Sequence, residues 1–414
     1  MRKRAGWWMA AAPAAAMVPR PAYAHVKWFA EFSFADRPLT VGQAATPAFF
    51  ALAVLSMAVI GAMVLLDRRL QEAAWYRGVN DWLAARRGEA LLVMRIGVFA
   101  TLLLAWQADA LLAPELRVWA GWIGWLQFLF ALLLLFPRTV PVAGGGLIAL
   151  FLLGAVRFGA FHLLDYLFFA GAGWYLLVSR ARGERLRGTG LPALYATVGF
   201  SLCWVALEKI VYPQWALYLL DQHPQLTLGL DLRFFLLAAA FVEFSLGYLL
   251  IINLLQRPLA LVITIVFFLT TTVFGKLEVI GHTPIHAALI VFLLQGPGTT
   301  YQPPIAFHRK LGLRTAFAAV NFALLLAVLL PLYAAAARAQ ARDPGTQSSG
   351  EAEQQRNEQV SSAALRETFF PFVRITQGRC GAPAAAEAAA RGGPRRTGAP
   401  ARTRKAAPSA GGWA

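Results

Sequence analysis

The chain has 414 residues, of which 58% are hydrophobic and 14% charged, and a mean hydropathy of +0.55, a departure from soluble globular composition towards lipid exposure. Its net charge of +17 comes largely from arginines in short loops between apolar runs and in the last stretch, where they orient membrane helices, and this argues against a nucleic-acid partner. Cys203 and Cys380 form no CxxC and no repeated spacing, so a structural disulfide, an iron–sulfur cluster or a cysteine zinc site is not expected, and any metal must be held by nitrogen and oxygen.

Residues 1–24 read as a secretory signal peptide. Arg2, Lys3 and Arg4 precede an apolar core from Trp7 to Val18, and Ala22-Tyr23-Ala24 supplies the A-x-A cleavage site; the core is too short to span a bilayer. Cleavage after Ala24 makes His25 the mature N-terminus, where the α-amine and the imidazole together can chelate copper or another transition metal. An uncleaved anchor is the alternative.

Residues 25–47 form a polar, mixed outer segment, and 48–336 a transmembrane helical domain. Apolar runs at 48–66, 90–107, 118–136, 141–157, 160–179, 191–207, 233–254, 258–274, 284–297 and 315–335 predict an all-α, polytopic transmembrane bundle of about ten spans; the ninth is short and must extend into its flanks or be shielded by protein. Arg68, Arg69, Arg77, Arg86, Arg87, Arg138, Arg180, Arg182, Arg185, Arg187, Arg257, Arg309, Lys310 and Arg314 all fall on one side, with Arg157 and Arg233 as exceptions. That bias makes this the cytoplasmic side of a bacterial inner membrane and puts the mature N-terminus in the periplasm. From 337 to 414 the chain turns to alanine, glycine, proline and glutamine with late arginines, the composition of a disordered tail.

Polar groups gather on the outer side. His162 and Asp165 are three residues apart early in the fifth span, so on a helix they share a face, and the aspartate is placed to orient the imidazole for metal or proton work. Glu208 and Lys209 end the sixth span; as neighbours they face different ways, Glu208 towards the bundle and Lys209 towards the surface or another carboxylate. Glu243 sits roughly 15 Å into the seventh span, where a lone carboxylate must be protonated, paired or ligated. Glu278, His282 and His286 would share a stripe on one continuous helix, but Gly281 and Thr283-Pro284 predict a break there, with Thr283 as cap. His223 reads as a loop histidine, and His308 belongs to the other side.

These residues carry three functional expectations. In the first, a metal-dependent or quinone-linked redox protein, His162, His282, His286, His25 and Glu278 bind copper, iron or zinc, and Glu243, Asp165 and Glu208 act as ligands or proton relays. Quinol from the bilayer would supply electrons, or a small periplasmic molecule would be the substrate. In the second, a proton- or cation-coupled transporter, Glu243 is the coupling site and the predicted helix break is functional. In the third, the chain is a non-catalytic accessory subunit of a membrane complex, with lipid and other subunits as its partners.

Leu207-Glu-Lys-Ile-Val-Tyr-Pro213 and Phe241-Val-Glu-Phe-Ser-Leu-Gly247 resemble segments of the DoxX-like group of bacterial membrane proteins, over roughly residues 190 to 300. The resemblance implies quinone or redox work, as in a subunit of quinone-linked thiosulfate oxidation, and about ten spans in place of the group's usual four imply an enlarged or fused relative.

Overall fold

A computed structural model of the chain describes residues 26–28, 32, 36–227, 229–296 and 310–342. The expected signal peptide, His25, His308 and the chain beyond Arg342 lie outside them. Every regular element among the described residues is helical, joined only by an isolated bridge between Ala110 and Arg117. The principal helices are α1 (Pro47–Glu72), α2 (Ala74–Ala84), α3 (Ala90–Gln107), α4 (Gly121–Leu133), α5 (Val140–Phe158), α6 (Ala160–Val178), α7 (Gly190–Val211), α8 (Pro213–Gln222), α9 (Leu232–Ile251), α10 (Gln256–Phe274), α11 (Lys276–Gln295) and α12 (Leu311–Arg342).

Eight of these helices are long and apolar enough to cross a membrane, while α4 and α10 are apolar but shorter over their described stretch. The ten expected spans map onto these ten helices in order. Starts and stops follow local chemistry. Thr46 caps α1 by accepting from the Phe49 N–H, with Pro47 as first helical residue, and Asp231 does the same for α9 through the Phe234 N–H, both supplying acceptors for otherwise orphaned donors.

Helix α7 is the axis of the bundle: every residue from Ser201 to Val211 is buried. It crosses α9 at a pair of glycines, where a Cβ on Gly199 or on Gly247 would lie 2.5 Å from the other's carbonyl oxygen. Helices α5 and α6 meet in the same way, Gly144 against Gly173. Small residues let backbones approach where lipid offers no hydrophobic drive for association. By contrast, α1 shows Phe50, Val54 and Leu55 to the outside and α12 shows Val320, Leu324 and Val328, a lipid-facing pattern.

The order of the helices collects many of the loop arginines at one end, with Arg117, Arg157, Arg233, Arg338 and Arg342 at the other. At the first of these ends Arg95 donates to the Leu134 and Leu135 carbonyls that end α4, and Arg257 to the Leu293 and Leu294 carbonyls near the end of α11, giving the orphaned carbonyls of helix ends cationic donors. The opposite end holds the buried acidic and imidazole side chains.

One expectation about this end is corrected. The predicted break at Gly281–Pro284 does not occur: α11 runs unbroken from Lys276 to Gln295 with Pro284 inside it. The chain turns instead at Gly275, whose φ of 69° suits a residue without a Cβ, and Thr283 Oγ1 donates to the Val279 carbonyl one turn back instead of capping a new helix. The ninth span gains its length from these flanking residues. Helix α12 itself runs past 336 and ends at Arg342.

Candidate functional site

Residues 159–166 set the geometry of the acidic end. Gly159, at φ 90°, turns the chain out of α5, and α6 opens with one α turn that tightens into a 3-10 turn at Leu164–Tyr166. His162, Asp165 and Tyr166 are all buried but address different partners. The expectation that Asp165 orients His162 is corrected by these partners: Glu115 stands by the imidazole, with Oε1 3.5 Å from Nε2, and Asp165 faces Lys27.

Lys27 is the centre of the site. Its Nζ lies 2.6 Å from Asp165 Oδ2 and 2.6 Å from Glu208 Oε2, with all three side chains 1% exposed. The same ammonium stands 5.7 Å from the ring centres of Phe32 and Trp215, a distance at which aromatic faces attract cations. Burial opposes the charge on Lys27, but Asp165 and Glu208 more than offset it and hold the group protonated above the usual lysine range. Its neighbour Trp28 donates from Nε1 to the Tyr166 hydroxyl at 2.9 Å. The indole lies in a notch over Gly281, where a Cβ would come within 1.8 Å of it.

Glu115 comes from the irregular segment between α3 and α4. Positive φ at Asp109 and Leu112 folds this segment back on itself. The fully buried Gln127 then satisfies it, donating to the Leu102 and Ala110 carbonyls and accepting from the Leu112 N–H. Tyr166 donates its hydroxyl to Glu115. Burial pushes the Glu115 carboxyl up from the ordinary 4.5 to about 8, against the opposing pull of its own backbone amide and Lys27.

A pH dependence follows from that shift. The folded protein keeps this proton where the unfolded chain has lost it, so the contribution to stability is complete below the unfolded value and falls as pH rises through the folded one. The slope between them is up to about 1.4 kcal/mol per pH unit. Glu115→Gln is expected to flatten the fall in thermal midpoint between about pH 5 and pH 8; equal slopes in the two proteins would show that Glu115 does not titrate in this window.

Two further pairs flank the Lys27 cluster. Lys209 turns away from Glu208 and reaches α9, with Nζ 2.6 Å from Glu243 Oε2. On α11, Glu278 pairs with His282. The His282 ring stacks on Phe267 at 4.3 Å and meets Trp28 at 4.9 Å. His286, one turn further, is half-buried against the edge of the same Phe267.

A cavity of about 30 Å³ lies among these groups and is lined by Asp165, Glu243, His282, Ser201, Trp28 and Tyr166 with apolar neighbours. It has room for roughly one or two water molecules. The structure therefore brings Asp165, Glu243 and His282 to one chamber, joins Glu208 to it through Lys27, and joins Glu278 through His282. His162 stands with Glu115, His286 meets Phe267 edge-on and does not line the chamber, and His223 is in its loop beside Gln225. Among the described residues, no three of the histidine, cysteine and acidic side chains converge to hold a metal ion, and three of the carboxylates, Asp165, Glu208 and Glu243, are taken by lysines.

Lys27, Trp28 and Glu115 escaped the sequence reading because their partners lie far along the chain, 138 residues away for Lys27 and Asp165. The available signal was the lysine itself, set between Val26 and Trp28 in an otherwise apolar stretch. No protein-family model, curated protein or solved structure matches the chain.

Proposed function

We propose that the chain is a multi-pass protein of the bacterial inner membrane, its acidic end towards the periplasm, which takes up protons at the Lys27–Asp165–Glu208 and Lys209–Glu243 clusters and passes them on. The observation that carries this reading is the shared chamber, where Asp165, Glu243 and His282 arrive from three separate helices. Buried Asp165, Glu208, Glu243 and Glu278 outnumber the buried lysines Lys27 and Lys209 at this end. Such an excess of carboxylate among lipid-facing helices is held only by adding a proton or a small cation. Ammonium groups 2.6 Å from Asp165, Glu208 and Glu243 compete with a metal for those oxygens but leave proton exchange open. In liposomes, the purified protein is expected to carry a proton flux driven by a potassium diffusion potential, and Glu243→Gln to lower it at least tenfold. Unchanged flux in that variant removes Glu243 from the path and the reading with it.

The stripe on α11 favours a second reading, metal-linked redox chemistry. Glu278, His282 and His286 lie along one face of α11, and His282 touches Trp28, a nitrogen and oxygen set suited to copper, iron or zinc. This is the reading to which the DoxX-like resemblance and a quinone partner belong. Elemental analysis of gently purified protein would show a stoichiometric transition metal that His282→Ala loses; metal-free wild-type material turns the argument back to protons.

A further inference from the structure

Three features around Lys27 have the chemistry of an amine-recognition site. Asp165 and Glu208 each present an oxygen 2.6 Å from the ammonium. Phe32 and Trp215 face it at 5.7 Å, and Trp215 is held by its own hydrogen bond to Asp36 at 2.6 Å and by stacking on Tyr212 at 4.1 Å. Among the described residues Glu208 Oε1, though buried, has no hydrogen-bond partner, so the acceptors exceed what one lysine uses. We infer that Asp165, Glu208, Phe32 and Trp215 form a binding site for a primary alkylammonium group, which Lys27 fills from within the chain and which a free alkylammonium ion fills when the Lys27 side chain is cut back.

Trp28 is what keeps the site open after such a cut. Its indole sits in the Gly281 notch, donates to Tyr166 and packs on His282, so the backbone at residue 27 stays in place and truncation leaves a hole instead of a collapse. The hole left by Lys27→Ala matches ethylammonium, whose two carbons and nitrogen replace the end of the lysine side chain with room for van der Waals contact to the remaining Cβ. Tetramethylammonium has no N–H to give the carboxylates. Methionine at 27 fills the space without a charge. The inference does not rest on the proton reading, since it concerns only what the two carboxylates bind.

The test is thermal unfolding of the full chain in detergent at constant ionic strength. Ethylammonium at millimolar concentration is expected to raise the midpoint of Lys27→Ala by at least about 3 °C, saturably, while tetramethylammonium and sodium do not, and neither wild type nor Lys27→Met responds. Equal effects of the three cations on Lys27→Ala, or a response of Lys27→Met as large as that of Lys27→Ala, would overturn the site. If Lys27→Ala does not accumulate, Lys27→Ala/Glu208→Gln removes one charge of each sign and takes its place; an ethylammonium-specific shift there supports the inference, and its absence overturns it.

Discussion

Replacing Lys27 by methionine is expected to destabilise the folded protein by about 3–5 kcal/mol, the range for breaking a buried ion pair from one side. Methionine conserves most of the volume, so the loss reads the charge and not the packing. What remains is Asp165 and Glu208, each with its side chain 1% exposed, with the Lys27 ammonium gone from between them. Removing one of the two charges should return part of the loss: Lys27→Met/Asp165→Asn is expected to be more stable than Lys27→Met alone, although Asp165→Asn by itself is destabilising. Thermal unfolding of the four proteins closes the cycle. A cost below about 1 kcal/mol for Lys27→Met would mean that the pair is as well hydrated as a surface salt bridge, and the buried cluster described above would be wrong.

The second large effect is expected at Gly281. A Cβ built there meets three atoms of the Trp28 ring, the closest at 1.8 Å, and the ring is enclosed by Tyr166 and His282. Gly281→Ala must therefore expel the indole. Losing roughly 150–250 Å² of aromatic burial at about 25 cal/mol per Å² amounts to about 4 kcal/mol, and the segment that carries Lys27 loses its anchor as well. The check is the same substitution in a Trp28→Ala background, where nothing occupies the notch and the added methyl should cost less than about 1 kcal/mol. Equal costs in both backgrounds would place the conflict elsewhere on α11.

The positions of the helices were legible because lipid leaves little choice: a long apolar run must satisfy its own backbone hydrogen bonds, and a helix does so within the segment. The same local reasoning failed at Thr283-Pro284. Capping rules weigh only neighbours in sequence, whereas Gly275 offered a cheaper place to turn and burial of Glu278 and His282 against Phe267 and Trp28 favoured one continuous helix. The polar residues of the site were legible as residues, since a glutamate at Glu243 or a histidine at His282 stands out in apolar surroundings. Their partnerships were not. Helical spacing pairs Asp165 with His162, whereas the carboxylate is taken by the ammonium of Lys27, 138 residues away in the chain.

What the sequence by itself determined is the class of the molecule: an all-helical bundle whose helices are long and apolar enough to cross a membrane, with most loop arginines at one end and the acidic and imidazole groups towards the other. Hydropathy and charge act over a single turn or a single loop, and they are readable wherever the chain is read. Only the tertiary structure decided that Lys27 neutralises Asp165 and Glu208, that Lys209 neutralises Glu243, and that Trp28 rests on Gly281. A buried charge is satisfied by whatever opposite charge the packing delivers, and helix packing is set by shape at distant crossings such as Gly199 against Gly247, a relation that no local pattern in the chain records.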